Sequence, residues 1–202
     1  MNNATRRAWV ACTSVGLLSG CVSPGPGAEP TDHHHARAEE HAMPLTIETL
    51  PARSGPRPKT TPTNPHTQLD QNAPAELQRE VGEYMFGLDC VDEVASKISV
   101  PGARAMWLRD SCHAGPDSAF MIGREFCHLH PPSDGSLHLN LPLDVAEAAI
   151  EKGWAENHPI ALRGFIPMNV VMVYGPRDRD ELEVVKWLVA SSHGFAHPSG
   201  AN

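Results

Sequence analysis

The residues in this chain best placed to do chemistry are histidines. His128 and His130 lie two apart in a run that reads as a strand, so their side chains share one face. A turn, Pro131-Pro132-Ser133-Asp134-Gly135, leads to Ser136–Leu141. Symmetric pairing about that turn sets His130 opposite Ser136 and His128 opposite His138. Three imidazoles then share a face, with directly opposed Cβ atoms about 4.5–5.5 Å apart. Three readings stay open. The imidazoles hold a zinc or ferrous ion with an open position. They transfer protons around an enolate, without a metal. Or they are structural, bonded to Ser136, Asn140 or His158.

His158 follows the next predicted helix and is the fourth candidate catalytic residue, beside His128, His130 and His138. Trp154 is a candidate substrate-binding wall over a ring-shaped ligand, or a tryptophan closing the core. Arg177 follows an apolar run and is a candidate receiver of a carboxylate or phenolate, or a solvated turn residue. Arg124 and Glu125 sit at a turn and are expected to pair across it. His193 and His197 are expected to face solvent. No Gly-x-Ser-x-Gly elbow, phosphate-binding glycine loop or dinucleotide fingerprint is present.

The start of the chain reads as an address. Residues 1–20 carry Arg6 and Arg7, then an apolar stretch from Trp9 to Leu18, then Leu18-Ser19-Gly20-Cys21. Small residues before the cut suit a signal peptidase. The cysteine resembles a bacterial lipobox, which makes Cys21 the expected lipid attachment point and the cell envelope the expected location. The partners expected are therefore a membrane, through that lipid, and a small-molecule ligand. The apolar run is too short to span a bilayer. Thr5-Arg6-Arg7-Ala8-Trp9 also fits a twin-arginine export signal.

Residues 21–74 are proline-rich and show no apolar periodicity, so they are read as a disordered tether. His33-His34-His35 and His41 are read as polar linker. The folded unit is then 75–198, a normal size for one core. Loss of the leader removes two of the 16 basic residues and no acid, so the net charge moves from −8 to −10. That balance excludes nucleic acid as a partner. It also excludes tight electrostatic docking on anionic lipid. Cys90, Cys112 and Cys127 remain, which permits one disulfide of undetermined pairing, or three small buried hydrophobes.

These side chains need a scaffold. Ala75–Leu88 has an apolar stripe at helical spacing (Leu77, Val81, Tyr84, Met85, Leu88). Short strands are predicted at 98–100 and 103–108. A hairpin is predicted from 119–122 and 125–130 around Gly123-Arg124. Ser136–Leu141 alternates as a half-buried strand. A helix over 142–152, a short strand at 160–162 and a stronger one at 170–174 follow. The last helix is capped by Asp178, with Glu181 three residues on. This order predicts an α+β fold: an antiparallel sheet with helices packed on one face, a two-layer sandwich.

Several blocks then resemble a known family. Gly123-Arg124-Glu125-Phe126, His128-Leu129-His130-Pro131, Asp134-Gly135-Ser136-Leu137-His138, Gly153-Trp154-Ala155-Glu156, His158-Pro159 and Val173-Tyr174-Gly175-Pro176-Arg177-Asp178 resemble the luciferase-type domain of fungal luciferases and many bacterial proteins. The resemblance covers the folded unit nearly end to end. It implies oxidation of a hydroxylated α-pyrone by molecular oxygen, releasing carbon dioxide and light, with no flavin, nicotinamide or ATP. It favours a metal-free pocket and carries no residue roles. Shared fold does not establish shared reaction. Two functions follow. One is a cofactor-independent oxygenase or acid–base enzyme on a small aromatic or enolic compound. The other is a non-catalytic module that binds a small molecule or partner at the envelope.

Overall fold

The computed structural model describes residues 44–198. The leader, Cys21 and the first part of the expected tether lie outside them. Three helices, α1 (Ala75–Gly87), α2 (Leu143–Glu151) and α3 (Arg179–Ala196), accompany six strands: β1 (Val91–Ala95), β2 (Arg104–Leu108), β3 (Glu125–Leu129), β4 (Leu137–Asn140), β5 (Ala155–Asn157) and β6 (Val170–Val173). The strands form one sheet in the order β1-β2-β3-β4-β6-β5, and every pairing is antiparallel. The helices pack on this sheet, α3 against β3 and β4, α1 against α3 and β1, and α2 against β5. The α+β expectation holds.

Packing follows from the alternation of side chains. Cys127 and Leu129 on β3, Leu137 and Leu139 on β4, and Val171 and Val173 on β6 join Leu182, Val185, Leu188 and Val189 of α3 in one apolar core. The Asp178 side chain accepts the Glu181 backbone N–H at 2.9 Å, which caps α3 as its sequence predicts. Between β2 and β3 the register slips. Trp107 faces Glu125 while Met106 faces Cys127, so Phe126 is an extra residue in β3. This bulge lets Phe126 and Cys127 both enter the core and brings Glu125 round to the side of His128.

Three local expectations are corrected. The first strand is Val91–Ala95, not 98–100, and residues 96–103 form the turn between β1 and β2. Residues 119–122 hold the end of a short 3-10 turn (Asp117–Ala119) and a single bridge, Ile122 to Glu125, in place of a strand. Residues 160–162 are turn, and the edge strand is Ala155–Asn157. In addition, β4 is buried on both faces, so its polar side is covered rather than solvated.

The cover comes from a stretch that reads as tether. Residues 44–74 lie against the sheet, with Leu50, Arg53, His66, Gln68 and Ala73 buried. Gln68 accepts the Gly175 backbone N–H at 3.0 Å and donates its own backbone N–H to Asp134 at 3.2 Å. Arg53 pairs with the buried Glu181 at 3.3 Å. The folded unit therefore begins well before residue 75. The segment reads as disordered because it has no period, but it is held by single side chains and by the Arg53 N–H to Lys152 carbonyl bond (2.8 Å), not by a helix or strand of its own. Cys90 and Cys112 are disulfide-bonded, and Cys127 is free and buried.

Candidate functional site

The face of the sheet opposite the helices carries imidazoles. The predicted register is present: His128 pairs with His138 across β3 and β4, and the His130 N–H bonds to the Ser136 carbonyl. His158 arrives from the loop after β5. A fifth histidine, His66, arrives from the 44–74 segment. All five are buried. Ring centroids lie 4.8 Å apart for His130–His138 and for His138–His158, and 5.0 Å apart for His66–His158. They form the floor of a cavity of about 400 Å³ whose walls are apolar, among them Ile98, Val100, Phe120, Ile160 and Ile166. A cavity of that size and lining suits a small organic ligand.

The imidazoles are joined in a line. The Nδ1 of His128 bonds to Glu125 at 2.9 Å, and its Nε2 meets His138 Nδ1 at 3.0 Å. His138 Nε2 meets His66 Nδ1 at 3.2 Å, and His66 Nε2 meets Glu156 at 2.7 Å. The Tyr174 hydroxyl donates to the other oxygen of Glu156 at 2.8 Å. Beside this line, His130 Nδ1 bonds to Asp134 at 2.5 Å, and Ser136 Oγ donates to the same carboxylate at 2.7 Å. His158 Nδ1 accepts the Ile160 backbone N–H at 3.2 Å, so a neutral His158 carries its hydrogen on Nε2.

Electrostatics favour neutral His128, His138 and His158 and ionised Glu125, Asp134 and Glu156. Burial lowers the His128 pKa and outweighs the hydrogen bond that its Nδ1–H donates to Glu125. Burial and the neighbouring imidazoles push His138 well below the ordinary value. Burial, then His66 and His128, bring His158 down to about 4. Burial raises Glu125, but hydrogen bonds from His128, Ser96 and the Lys97 backbone outweigh it and hold the group low. Burial likewise opposes, and hydrogen bonding overcomes, in Asp134 (His130, Ser136) and Glu156 (His66, Thr60, Tyr174). Burial and Glu156 raise Tyr174 to about 12.

The four histidines expected to be catalytic converge. The two substrate-binding candidates do not join them. Trp154 is in the core, with Nε1–H donated to the Pro51 carbonyl at 2.6 Å, because the 44–74 segment supplies an acceptor there. Arg177 is spent on Glu181 and on Gln71 and Ser54 of the same segment. Glu125 does not pair with Arg124 across their turn. Arg124 instead donates to the carbonyls of Leu108 and Cys112. His66, Glu125, Asp134 and Glu156 were missed. Asp134 sat in plain view, four residues after His130 in the turn. His66 had no local signal. His193 and His197, expected in solvent, bond to the carbonyls of Asp89 and His113.

The sequence model of the luciferase domain matches residues 123–192. The luciferase of Armillaria mellea is 29% identical over 164 residues, which is 72% of this chain and 60% of that protein. The luciferase of Armillaria ostoyae is 30% identical over 162 residues with the same coverage. That of Neonothopanus nambi is 35% identical over 81 residues, 39% of this chain and 30% of that protein. The chain thus spans about three-fifths of the Armillaria relatives' length. No solved structure matches it. The matched stretch contains β3, β4 and the hairpin that carries His128, His130 and His138, and residues 123–192 belong by that match to the luciferase-type domain family.

Proposed function

We propose that this chain is an enzyme that oxidises a small aromatic or enolic compound with molecular oxygen, needing no organic cofactor. The observation that carries this reading is the cavity itself: apolar walls sized for a ring compound, closed at the bottom by five buried imidazoles. Basic imidazole nitrogen takes the acidic hydrogen of an enol or phenol. The His158 Nε2–H is placed to hold the anionic oxygen that results. The electron-rich carbon of that anion then takes up both atoms of O₂, so no outside reductant is needed. The relatives named luciferases support the oxygen chemistry. Sequence also supports a lipid on Cys21 and an envelope location for this enzyme, with the domain outside the cytoplasm.

The test is oxygen uptake by the purified chain against a panel of hydroxylated α-pyrones and phenols, with His158→Ala beside it. Uptake with one ligand class, lost in the variant while the fold is kept, is the expected result. Saturable binding with no oxygen uptake would leave a non-catalytic binding module instead. For the anchor, labelled palmitate should enter the parent and not Cys21→Ser.

A further inference from the structure

The line of imidazoles is one hydrogen short. Between Glu125 and Glu156 run His128, His138 and His66, with four contacts of 2.9, 3.0, 3.2 and 2.7 Å. Each contact needs one hydrogen between its two heavy atoms. Three neutral imidazoles bring three. Two lone pairs must therefore face each other somewhere in the line, which is costly in a buried site. Charge tells the same story. Glu125, Asp134 and Glu156 are three carboxylates around one cavity floor, and among the described residues no lysine or arginine forms an ion pair with them. Charge without a cationic partner on the buried Glu125 and Asp134 and the half-buried Glu156 calls for a counter-ion.

We infer that His128, His130 and His138 bind a first-row divalent metal ion, zinc or iron(II), at the floor of the cavity. Their ligand nitrogens all lie within 4.8 Å of one another. Tetrahedral bonds of about 2.0–2.1 Å would set them roughly 3.3 Å apart, a small adjustment. An ion between His128 Nε2 and His138 Nδ1 removes one contact from the count. The three that remain are met by three imidazole hydrogens with both glutamates ionised. His130 offers an Nε2 with no protein partner, because its Nδ1–H is given to Asp134.

Each ligand would then be backed by a carboxylate, Glu125 behind His128, Asp134 behind His130, and Glu156 behind His138 through His66. Carboxylates that orient and polarise ligating imidazoles are the usual outer shell of such ions. The ion also takes the charge of the cluster from −3 to −1. A second trio, His66, His138 and His158, is close enough to hold an ion. It is the weaker site, since the Ile160 N–H occupies His158 Nδ1 and leaves hydrogen on Nε2. An ion on the first trio would present an open position to the cavity, where it would neutralise an enolate or phenolate oxygen.

The inference does not depend on the oxygenase reading, and its test does not use turnover. The full chain is purified and its metals counted by elemental analysis. It is then stripped with a chelator and titrated with zinc and with cobalt(II), followed by thermal melting and the cobalt visible spectrum. About one ion per chain is expected, with cobalt bands of a low-coordinate nitrogen site. His128→Ala and His130→Ala should lose it, and His158→Ala should keep it. Glu125→Gln removes no ligand and should weaken binding about 10–100-fold, which keeps the test alive if the alanine variants fold poorly. A folded parent chain with under about a tenth of an ion, and no saturable zinc or cobalt binding, overturns the site. The fourth hydrogen would then be an extra proton held in the imidazole line. Retention of metal by His128→Ala together with its loss in His158→Ala would overturn the ligand set. Stoichiometric metal without oxygen uptake would sink the enzyme reading alone.

Discussion

Arg53 offers a direct test of where this domain begins. Its guanidinium is buried against Glu181, with Nη2 to Oε2 at 3.3 Å and side-chain exposures of 2% and 6%. It also lies over the Tyr174 ring at 5.4 Å. Glu181 receives the Arg177 backbone N–H at 2.9 Å and the Arg177 Nε–H at 2.8 Å. If residues 44–74 were a loose tether, Arg53→Ala would be silent. In the packed arrangement, Glu181→Ala leaves the Arg53 charge buried with a 3.4 Å contact to Gln71 and the Tyr174 ring face, and no counter-charge. Breaking a buried pair from one side costs about 3–5 kcal/mol. At roughly 2–4 °C per kcal/mol for a chain of this size, the midpoint should fall by roughly 6–20 °C. Arg53→Ala should cost less, because Glu181 keeps Arg177. The double variant should be less damaged than the two losses added, with a coupling of about 1–3 kcal/mol. The assay is thermal and urea unfolding of the parent, the two single variants and the double variant. A midpoint for Glu181→Ala within about 2 °C of the parent, or strict additivity, would refute the claim that this pair ties the segment to α3.

Other expectations follow from the same structure. Acid should destabilise the metal-stripped chain from about pH 6.5 downward: His158 has its pKa lowered from 6.5 to about 4, so across that window the unfolded chain binds a proton that the folded one refuses. His128 and His138 act in the same direction, and a urea stability that stays flat from pH 7 to about 4.5 would contradict it. Gly135→Ala should cost more than about 1 kcal/mol, because Gly135 has φ +72° and a Cβ there would sit 2.6 Å from Gln78 Cδ; an unchanged melting midpoint would count against this. Reducing the Cys90–Cys112 bond, which spans a separation of 22 residues, should cost about 3 kcal/mol by loop entropy, read as a lower urea midpoint in reductant.

Local pattern carried a good deal of this molecule. The alternation in Ser136–Leu141 and the compact turn before it were enough to place His128 opposite His138, because strand side chains repeat every two residues. The helices followed from their stripes, and α3 started where Asp178 and Glu181 said it would. Errors fell where short apolar runs have no period. Ile98, Val100 and Ile160 are apolar residues that line the cavity, and Leu162 lines a second pocket; neither run is a strand.

Tertiary structure decided the rest. Strict alternation puts Glu125 on the apolar side with Cys127, and only the bulge at Phe126 turns it toward His128. His66 sits 72 residues from His138 in a stretch that reads as linker, and no local signal reaches that far. Trp154 and Arg177 had the right chemistry for a ligand, but the 44–74 segment took up their donors. Sequence alone settled which residue types face each other across one hairpin. Packing settled that this polar face is buried, which carboxylates stand behind it, and that it closes around a cavity. The reason is that pairing in a hairpin is local, whereas covering a sheet face is done by whatever distant chain can satisfy its hydrogen bonds.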